Sequence, residues 1–234
     1  MSLTLAILGG FLPAIFWLWF WLHEDRKSPE PKSVIIESFL AGGLAVIPTY
    51  FLERYLRDQL GFNIETNPLI TITLWAAIEE GLKFIAVYLT ALRRRYFDEP
   101  VDAMVYMITG ALGFVAVENS LFIFNAILEH GLTDFNYLLT GNLRFIGATL
   151  THTVTSALIG GIIALAFWTP RWLKELALLG GLILATLLHA LFNYSILNSG
   201  DVSIWKIFVG LWLATILIIL FFERIKVVSP KSKA

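Results

Sequence analysis

Long apolar stretches separated by short polar clusters run along almost the whole chain. Because the hydrocarbon core of a bilayer is about 30 Å thick, a helix needs about 20 apolar residues to cross it. This pattern predicts seven spans, at residues 3–22, 33–52, 68–92, 101–127, 145–168, 173–198 and 203–222. We therefore expect an all-α, polytopic helical bundle, with residues 1–234 forming one membrane domain.

Three further features of the pattern concern the helices themselves. No basic residue precedes the first span and no small-residue cleavage site follows it, so we expect a retained helix and not a signal peptide. Residues 128–143 carry scattered apolar side chains that also suit a short interfacial helix. Glycines within the spans are typical of close helix packing. They are Gly42, Gly43, Gly110, Gly113, Gly160, Gly161, Gly180 and Gly181.

Composition supports a membrane protein. The chain is 57% hydrophobic and 15% charged, with a mean hydropathy of +0.74, whereas about a quarter of the residues of a soluble chain are charged. The formal net charge of −1 offers no basic surface for nucleic acid. The absence of cysteine excludes disulfides, thiolate catalysis and cysteine-based metal sites.

The distribution of Lys and Arg predicts the orientation of the bundle. Cytoplasmic loops carry an excess of these residues. With the N-terminus outside, twelve of the 17 cations fall in cytoplasmic segments and four in outer segments, and Lys83 lies inside a span. We therefore expect the N-terminus outside and the C-terminus in the cytoplasm.

Ionisable residues lie at depths where a bilayer disfavours them. Each charge costs about 2.5–3.5 kcal/mol on insertion scales, so such residues usually serve a function. Four predicted spans contribute them: Glu79, Glu80, Lys83, Glu118, His152 and His189. Counted from the outer ends at about 1.5 Å per residue, Glu80, Glu118, His152 and His189 fall in one layer, in the outer half of the membrane.

Residues three or four apart share a helix face, so these groups form four short motifs. In chain order the strings are AIEEGLKF, GFVAVENS, LTHTVTSALIGG and LLHALFNYS. Asn119 adjoins Glu118, Ser156 lies one turn after His152, and Asn193 lies one turn after His189. We expect these three residues to support the charged cluster.

Such a cluster suits peptide hydrolysis. A buried carboxylate can act as a general base for water, and histidine and asparagine can stabilise an oxyanion and protonate a leaving amine. The same residues could bind zinc, which in catalytic sites takes three His or carboxylate ligands and a water. Neither an H-E-x-x-H helix nor a G-x-S-x-G elbow occurs, so these residues leave the two mechanisms open.

Two other classes of function use similar residues. Intramembrane Glu and His also mark ion pathways, which makes a proton- or metal-coupled transporter the alternative. No internal repeat is visible, although many transporters have one. A noncatalytic protein with a structural polar core, in which Glu79 pairs with Lys83, is the third interpretation.

These motifs resemble the PrsW family of intramembrane proteases, which is related to the type II CAAX endopeptidases. The resemblance rests on E-E-x-x-K, F-x-x-x-E-N from Phe114, the His152 motif and H-x-x-x-N, in this order on four spans. The strings DRKSPEPK at 25–32 and EPVDAMVY at 99–106 add to it. CAAX relatives have histidine in place of Glu118, which argues against prenylated substrates.

The resemblance implies roles for the motif residues. Glu79 and Glu80 would carry catalysis, with Lys83 orienting or neutralising one of them. Glu118 and His152 would line the same centre, and His189 and Asn193 would bind water, metal or the oxyanion. The expected ligands of a zinc ion are Glu118, His152 and His189.

The implied function is cleavage of single-pass membrane proteins within the bilayer. The founding bacterial member makes the first cut in the processing of an anti-sigma factor. A glutamate mechanism and a metal-dependent one both suit the residues. We expect an integral protein of a prokaryotic inner membrane, with a membrane protein substrate and surrounding lipid as its partners.

Overall fold

The computed structural model describes residues 2–26, 28–130, 135–198 and 201–228. Most of these residues are helical, and no strand occurs among them. The helices are α1 (Ser2–Glu24), α2 (Lys32–Leu60), α3 (Pro68–Val87), α4 (Pro100–His130), α5 (Phe135–Leu165), α6 (Arg171–Leu197) and α7 (Asp201–Val228). A π-helical turn at Tyr88–Leu92 prolongs α3. One described helix corresponds to each predicted span, which confirms the all-α bundle.

Six of the described helices, all except α3, are long and apolar enough to cross a bilayer. The 20 residues of α3 extend about 30 Å, but Glu79, Glu80 and Lys83 lie in its middle. All three side chains are buried. The helix therefore directs its charges into the bundle, where protein groups replace the water that hydrocarbon cannot supply.

Two helices extend further than the hydropathy pattern indicates. The α2 helix continues past residue 52 to Leu60 and ends at Gly61, whose φ of 71° closes the helix in a left-handed cap. Residues 128–130 complete α4 and 135–143 form the first turns of α5, so the alternative of a separate interfacial helix over 128–143 is wrong for the described residues. Continuous helices satisfy backbone groups that an extra helix end would leave open.

Small residues bring α4 to the centre of the bundle, where residues 101–116 are buried. A Cβ atom at Gly42 would lie 1.9 Å from the carbonyl oxygen of Gly110, and one at Gly113 would lie 1.8 Å from that of Phe39. Only glycine permits α2 to approach α4 this closely. The expectation of close packing is wrong for Gly180, because a Cβ there would meet nothing within 4 Å.

The strings DRKSPEPK and EPVDAMVY meet at one end of the bundle. The Ser28 hydroxyl donates to Glu99 Oε1 over 2.5 Å, and the Tyr106 hydroxyl donates to Glu30. Asp102 accepts hydrogen bonds from the backbone N–H groups of Asp98 and Glu99 at 2.9 and 2.7 Å. The two strings thus join the α1–α2 connection to the start of α4.

Asp25 completes this carboxylate cluster. It is only 4% exposed, and its Oδ2 has no hydrogen-bond partner. Burial, followed by the nearby charges of Glu30 and Glu99, raises the pKa of Asp25 to about 7, while Lys226 opposes the shift. Asp25 therefore holds its proton across the mildly acidic range.

The raised pKa predicts that Asp25→Asn stabilises the protein at alkaline pH. The unfolded carboxyl ionises near its ordinary pKa of 3.8 and the folded one at about 7, so the stability present below the first value is lost as pH rises through the second. Asparagine mimics the protonated acid. We expect a higher melting temperature for the variant at pH 8 and no difference below pH 4, measured in detergent.

Asp58→Asn is the control, because Asp58 is a surface carboxylate paired with Arg54 and Arg57. We expect no such gain for it at pH 8. An Asp25→Asn variant that melts at or below the wild-type temperature at pH 8 would contradict the buried-proton interpretation.

Candidate active site

Four helices bring the predicted ionisable residues into one cluster. Glu79, Glu80 and Lys83 come from α3, and α4, α5 and α6 contribute the others. Glu80 and Lys83 are fully buried, and both histidines are 2% exposed. The histidine rings of His152 and His189 lie edge to face, with centroids 4.8 Å apart. The convergence predicted from span depths is therefore present.

Glu80 is the most highly coordinated carboxylate of the cluster. Its Oε1 accepts from Lys83 Nζ at 2.6 Å and from Thr155 Oγ1 at 3.0 Å, and lies 2.9 Å from His189 Nδ1. Its Oε2 accepts from Ser156 Oγ at 3.4 Å. Because charged hydrogen bonds are the strong ones, Glu80 holds groups of α3, α5 and α6 at fixed positions.

His152 links the buried lysine to a carboxylate at the cavity. Lys83 Nζ lies 2.6 Å from Nδ1 of the ring, and Glu118 Oε2 lies 2.9 Å from Nε2. Lysine only donates, so Nδ1 accepts and Nε2–H donates to Glu118, a tautomer that we assign from the hydrogen bonds. The Glu118 side chain is 38% exposed, so this chain of contacts runs from the protein interior to the cavity.

Glu79 lies between the two histidines, with its Oε2 beyond hydrogen-bond distance of either ring. Its buried Oε2 has no hydrogen-bond partner and lies 3.9 Å from His152 Nδ1 and 3.8 Å from His189 Nε2. One ligand atom from each of these residues falls within 4.8 Å of the other two. Two histidines and a glutamate form a known catalytic zinc set, so the donor chemistry and the unpartnered oxygen both fit a metal ion.

The geometry sets one condition on metal binding. Lys83 Nζ donates to the same His152 nitrogen that faces Glu79, and one lone pair cannot serve both an ammonium group and a metal. With a metal bound to this nitrogen, Lys83 would keep Glu80 as its hydrogen-bond partner and lose His152. Glu118, which the sequence places among the metal ligands, contacts the opposite nitrogen of His152, and Glu79 lies in its place between the rings.

A cavity of about 170 Å³ opens from the cluster towards the α2–α3 connection, enough room for several waters. Glu118, His152 and His189 line its inner part. Of the predicted supporting residues, Asn119 and Asn193 line the wall, and Asn119 Nδ2 donates to Thr149 Oγ1 at 3.2 Å. Amide N–H groups in such a wall can act as hydrogen-bond donors.

Three residues of the site were not predicted from the sequence. Thr155 binds Glu80 and lies three residues after His152, so helical spacing could have identified it. Trp75 lies one turn before Glu79, and its buried Nε1 in the cavity wall has no hydrogen-bond partner. Glu53 interacts electrostatically with Glu79 and Glu118. It was not predicted because the predicted span ended at residue 52, one residue before it.

Comparisons with known proteins agree with this geometry. Residues 30–222 match the family described as PrsW family intramembrane metalloprotease. Protease PrsW of Geobacillus kaustophilus is 26% identical over 88% of this chain and 85% of its own length. Protease PrsW of Shouchella clausii is 26% identical over 92% and 94%, and that of Bacillus subtilis 23% identical over 80% and 81%.

No solved structure matches the chain. The family match covers most of the sequence and includes all four motifs of the cluster. Bacterial relatives and six apolar helices place the protein in a bacterial membrane. The chain therefore belongs to the PrsW family of intramembrane metalloproteases and is a membrane-embedded peptide hydrolase.

Proposed function

We propose that the protein hydrolyses a peptide bond in or beside the transmembrane segment of a single-pass membrane protein. The observation that carries this proposal is a buried Glu–Lys–His network, drawn from four helices, that reaches a cavity with room for several waters. Family resemblance makes an anti-sigma factor, cut at site 1, the first substrate to test.

Glu118 is the carboxylate best placed to activate water. It lines the cavity and is partly exposed, while its Oε2 accepts from the His152 ring. A carboxylate so placed can take a proton from water as water attacks the scissile carbonyl. The N–H group of the His152 ring then holds the protonated Glu118 in place. Lys83 fixes the ring through its other nitrogen.

The remaining groups have separate tasks in the same step. Side-chain N–H groups of Asn119, Asn193 and Trp75 in the cavity wall suit an oxyanion. Glu80 is enclosed by its partners, so we assign it the positioning of Lys83 and His189. The proton acquired by Glu118 passes to the leaving amine, which completes hydrolysis.

A zinc ion would be held by Glu79, His152 and His189. When bound, zinc polarises a carbonyl and lowers the pKa of a bound water. The family description as metalloprotease and the unpartnered Glu79 oxygen support this proposal. Activation of water by Glu118 alone is the alternative that the same cavity allows.

Glu118→Gln is expected to abolish cleavage while preserving the fold. Loss of a general base lowers rates by about 10²–10⁴-fold, and the partly exposed side chain leaves no buried charge behind. The measurement is mass spectrometry of fragments from co-expressed single-pass proteins. Glu175→Gln, which changes an exposed carboxylate on α6, is the control, and fragments that persist in Glu118→Gln would contradict the assignment.

The metal proposal predicts stoichiometric zinc in the purified protein. We expect elemental analysis to find about one zinc per chain, and titration to give an affinity at least about 10-fold lower for Glu79→Gln. The Glu175→Gln control should bind as the wild type does. A wild type that binds no zinc and cleaves in the presence of chelator would leave only the metal-free route.

The proposed cut lies on the extracytoplasmic side, which requires the N-terminus outside. The natural absence of cysteine permits single-cysteine labelling with a membrane-impermeant maleimide. We expect Glu65→Cys, in the connection near the cavity mouth, to react in intact cells. Arg94→Cys, at the opposite end, should react only after permeabilisation, and the reverse pattern would overturn the orientation.

A further inference from the structure

A second cavity adjoins the catalytic one. It has a volume of about 270 Å³ and lies between α5, α6 and α7. Thr151 and Phe192 line both cavities, so these two side chains form the partition between them. Thr155, which donates to Glu80 over 3.0 Å, also lines the second cavity. This second cavity, which we call the groove, therefore ends at the catalytic cluster.

We propose that this groove is the lateral route by which the transmembrane segment of the substrate reaches the catalytic residues, with Phe192 as its gate. The inference rests on the proposed function and adds to it a place of access. Gly210 of α7 lines the groove, and a Cβ there would meet nothing within 4 Å. The absence of a side chain at Gly210 thus leaves open space in the groove.

The groove lies at the depth of the catalytic residues. His189 is eight residues before the end of α6 and Gly210 nine residues after the start of α7. At 1.5 Å per residue these positions lie about 12 and 14 Å from adjoining helix ends. A segment in the groove would therefore meet the site from the side, at bilayer level, and not from the aqueous mouth.

The chemistry of the groove favours a peptide over a lipid chain. Its walls are mostly apolar, yet Thr151, Thr155 and Ser195 add hydroxyl groups. A helix must unwind locally before its peptide bond can be attacked, and the backbone groups released in hydrocarbon then need hydrogen-bond partners. Hydroxyl oxygens can accept from such N–H groups, whereas an acyl chain makes no use of them.

Phe192 is suited to act as a gate because its neighbour across the interface is glycine. A Cβ at Gly147 would lie 2.8 Å from Phe192 Cζ, so the absence of a side chain there makes room for the ring. Displacement of this ring would leave Thr151 as the remaining partition between the two cavities. Phe192 also lies three residues after His189, which places the partition one helical turn from the catalytic cluster.

Gly210→Phe tests the route, because it places a ring in the open part of the groove. Gly180→Phe is the matched control, since its Cβ position on α6 is equally open and it does not line the groove. We expect cleavage of a full-length membrane substrate to fall at least about 10-fold in Gly210→Phe, or about 1.4 kcal/mol, and to be unchanged in Gly180→Phe.

A short peptide that spans the same bond provides the second measurement. It can enter through the mouth near residues 61–67, so we expect both variants to cleave it at the wild-type rate. Equal loss of peptide and membrane substrate in Gly210→Phe would overturn the route, as would wild-type cleavage of both. A wild type that cleaves neither substrate would instead contradict the proposed function.

Crosslinking identifies the occupant of the groove. In a Glu118→Gln background, a cysteine at Gly210 should form a disulfide with single cysteines in the substrate's transmembrane segment. A cysteine at Gly180 should not. Crosslinks from both positions, or from neither, would overturn the proposal. A lipid chain would then be the expected occupant of the groove.

Discussion

The buried ammonium group of Lys83 is the interaction on which the site depends. None of its side chain is exposed, and Nζ lies 2.6 Å from both Glu80 Oε1 and His152 Nδ1. Removing one partner of a buried ion pair costs about 3–5 kcal/mol. Through this group α3 is tied to α5, and Glu80 extends the connection to His189 on α6. The contacts that hold the helices together also orient the reactive groups.

Carboxylates outnumber cations around Lys83. Glu79, Glu80 and Glu118 share this one lysine, and Glu53 adds a further carboxyl group nearby. Uncompensated charge in a region of low dielectric favours whatever can neutralise it, either a metal ion or a proton. This excess is the physical reason why a zinc mechanism and a glutamate mechanism suit the same residues.

Packing of α4 makes the convergence possible. Because Gly42 faces Gly110 and Gly113 faces Phe39, α2 and α4 approach each other at backbone distance. With larger residues these two helices would separate by the width of a side chain. A Cβ atom at Gly160 would likewise lie 2.6 Å from the carbonyl oxygen of Ala103, so a larger residue there would separate α4 from α5 and remove the contact between Glu118 and His152. Small residues distant from the chemistry therefore set the geometry of the network.

Hydropathy alone located the helices, because a bilayer demands about 20 apolar residues per span, and charge at that depth marked the site residues. Helix spacing could not tell which carboxylate meets which histidine, since adjacent residues such as Glu79 and Glu80 point about 100° apart and only packing decides what each one faces. Tertiary structure alone placed Glu80 against Lys83, Glu79 between the rings and Glu118 on the other side of His152. It also created the groove behind Phe192, because the distances between α5, α6 and α7 are set by tertiary packing and are not encoded in any local pattern.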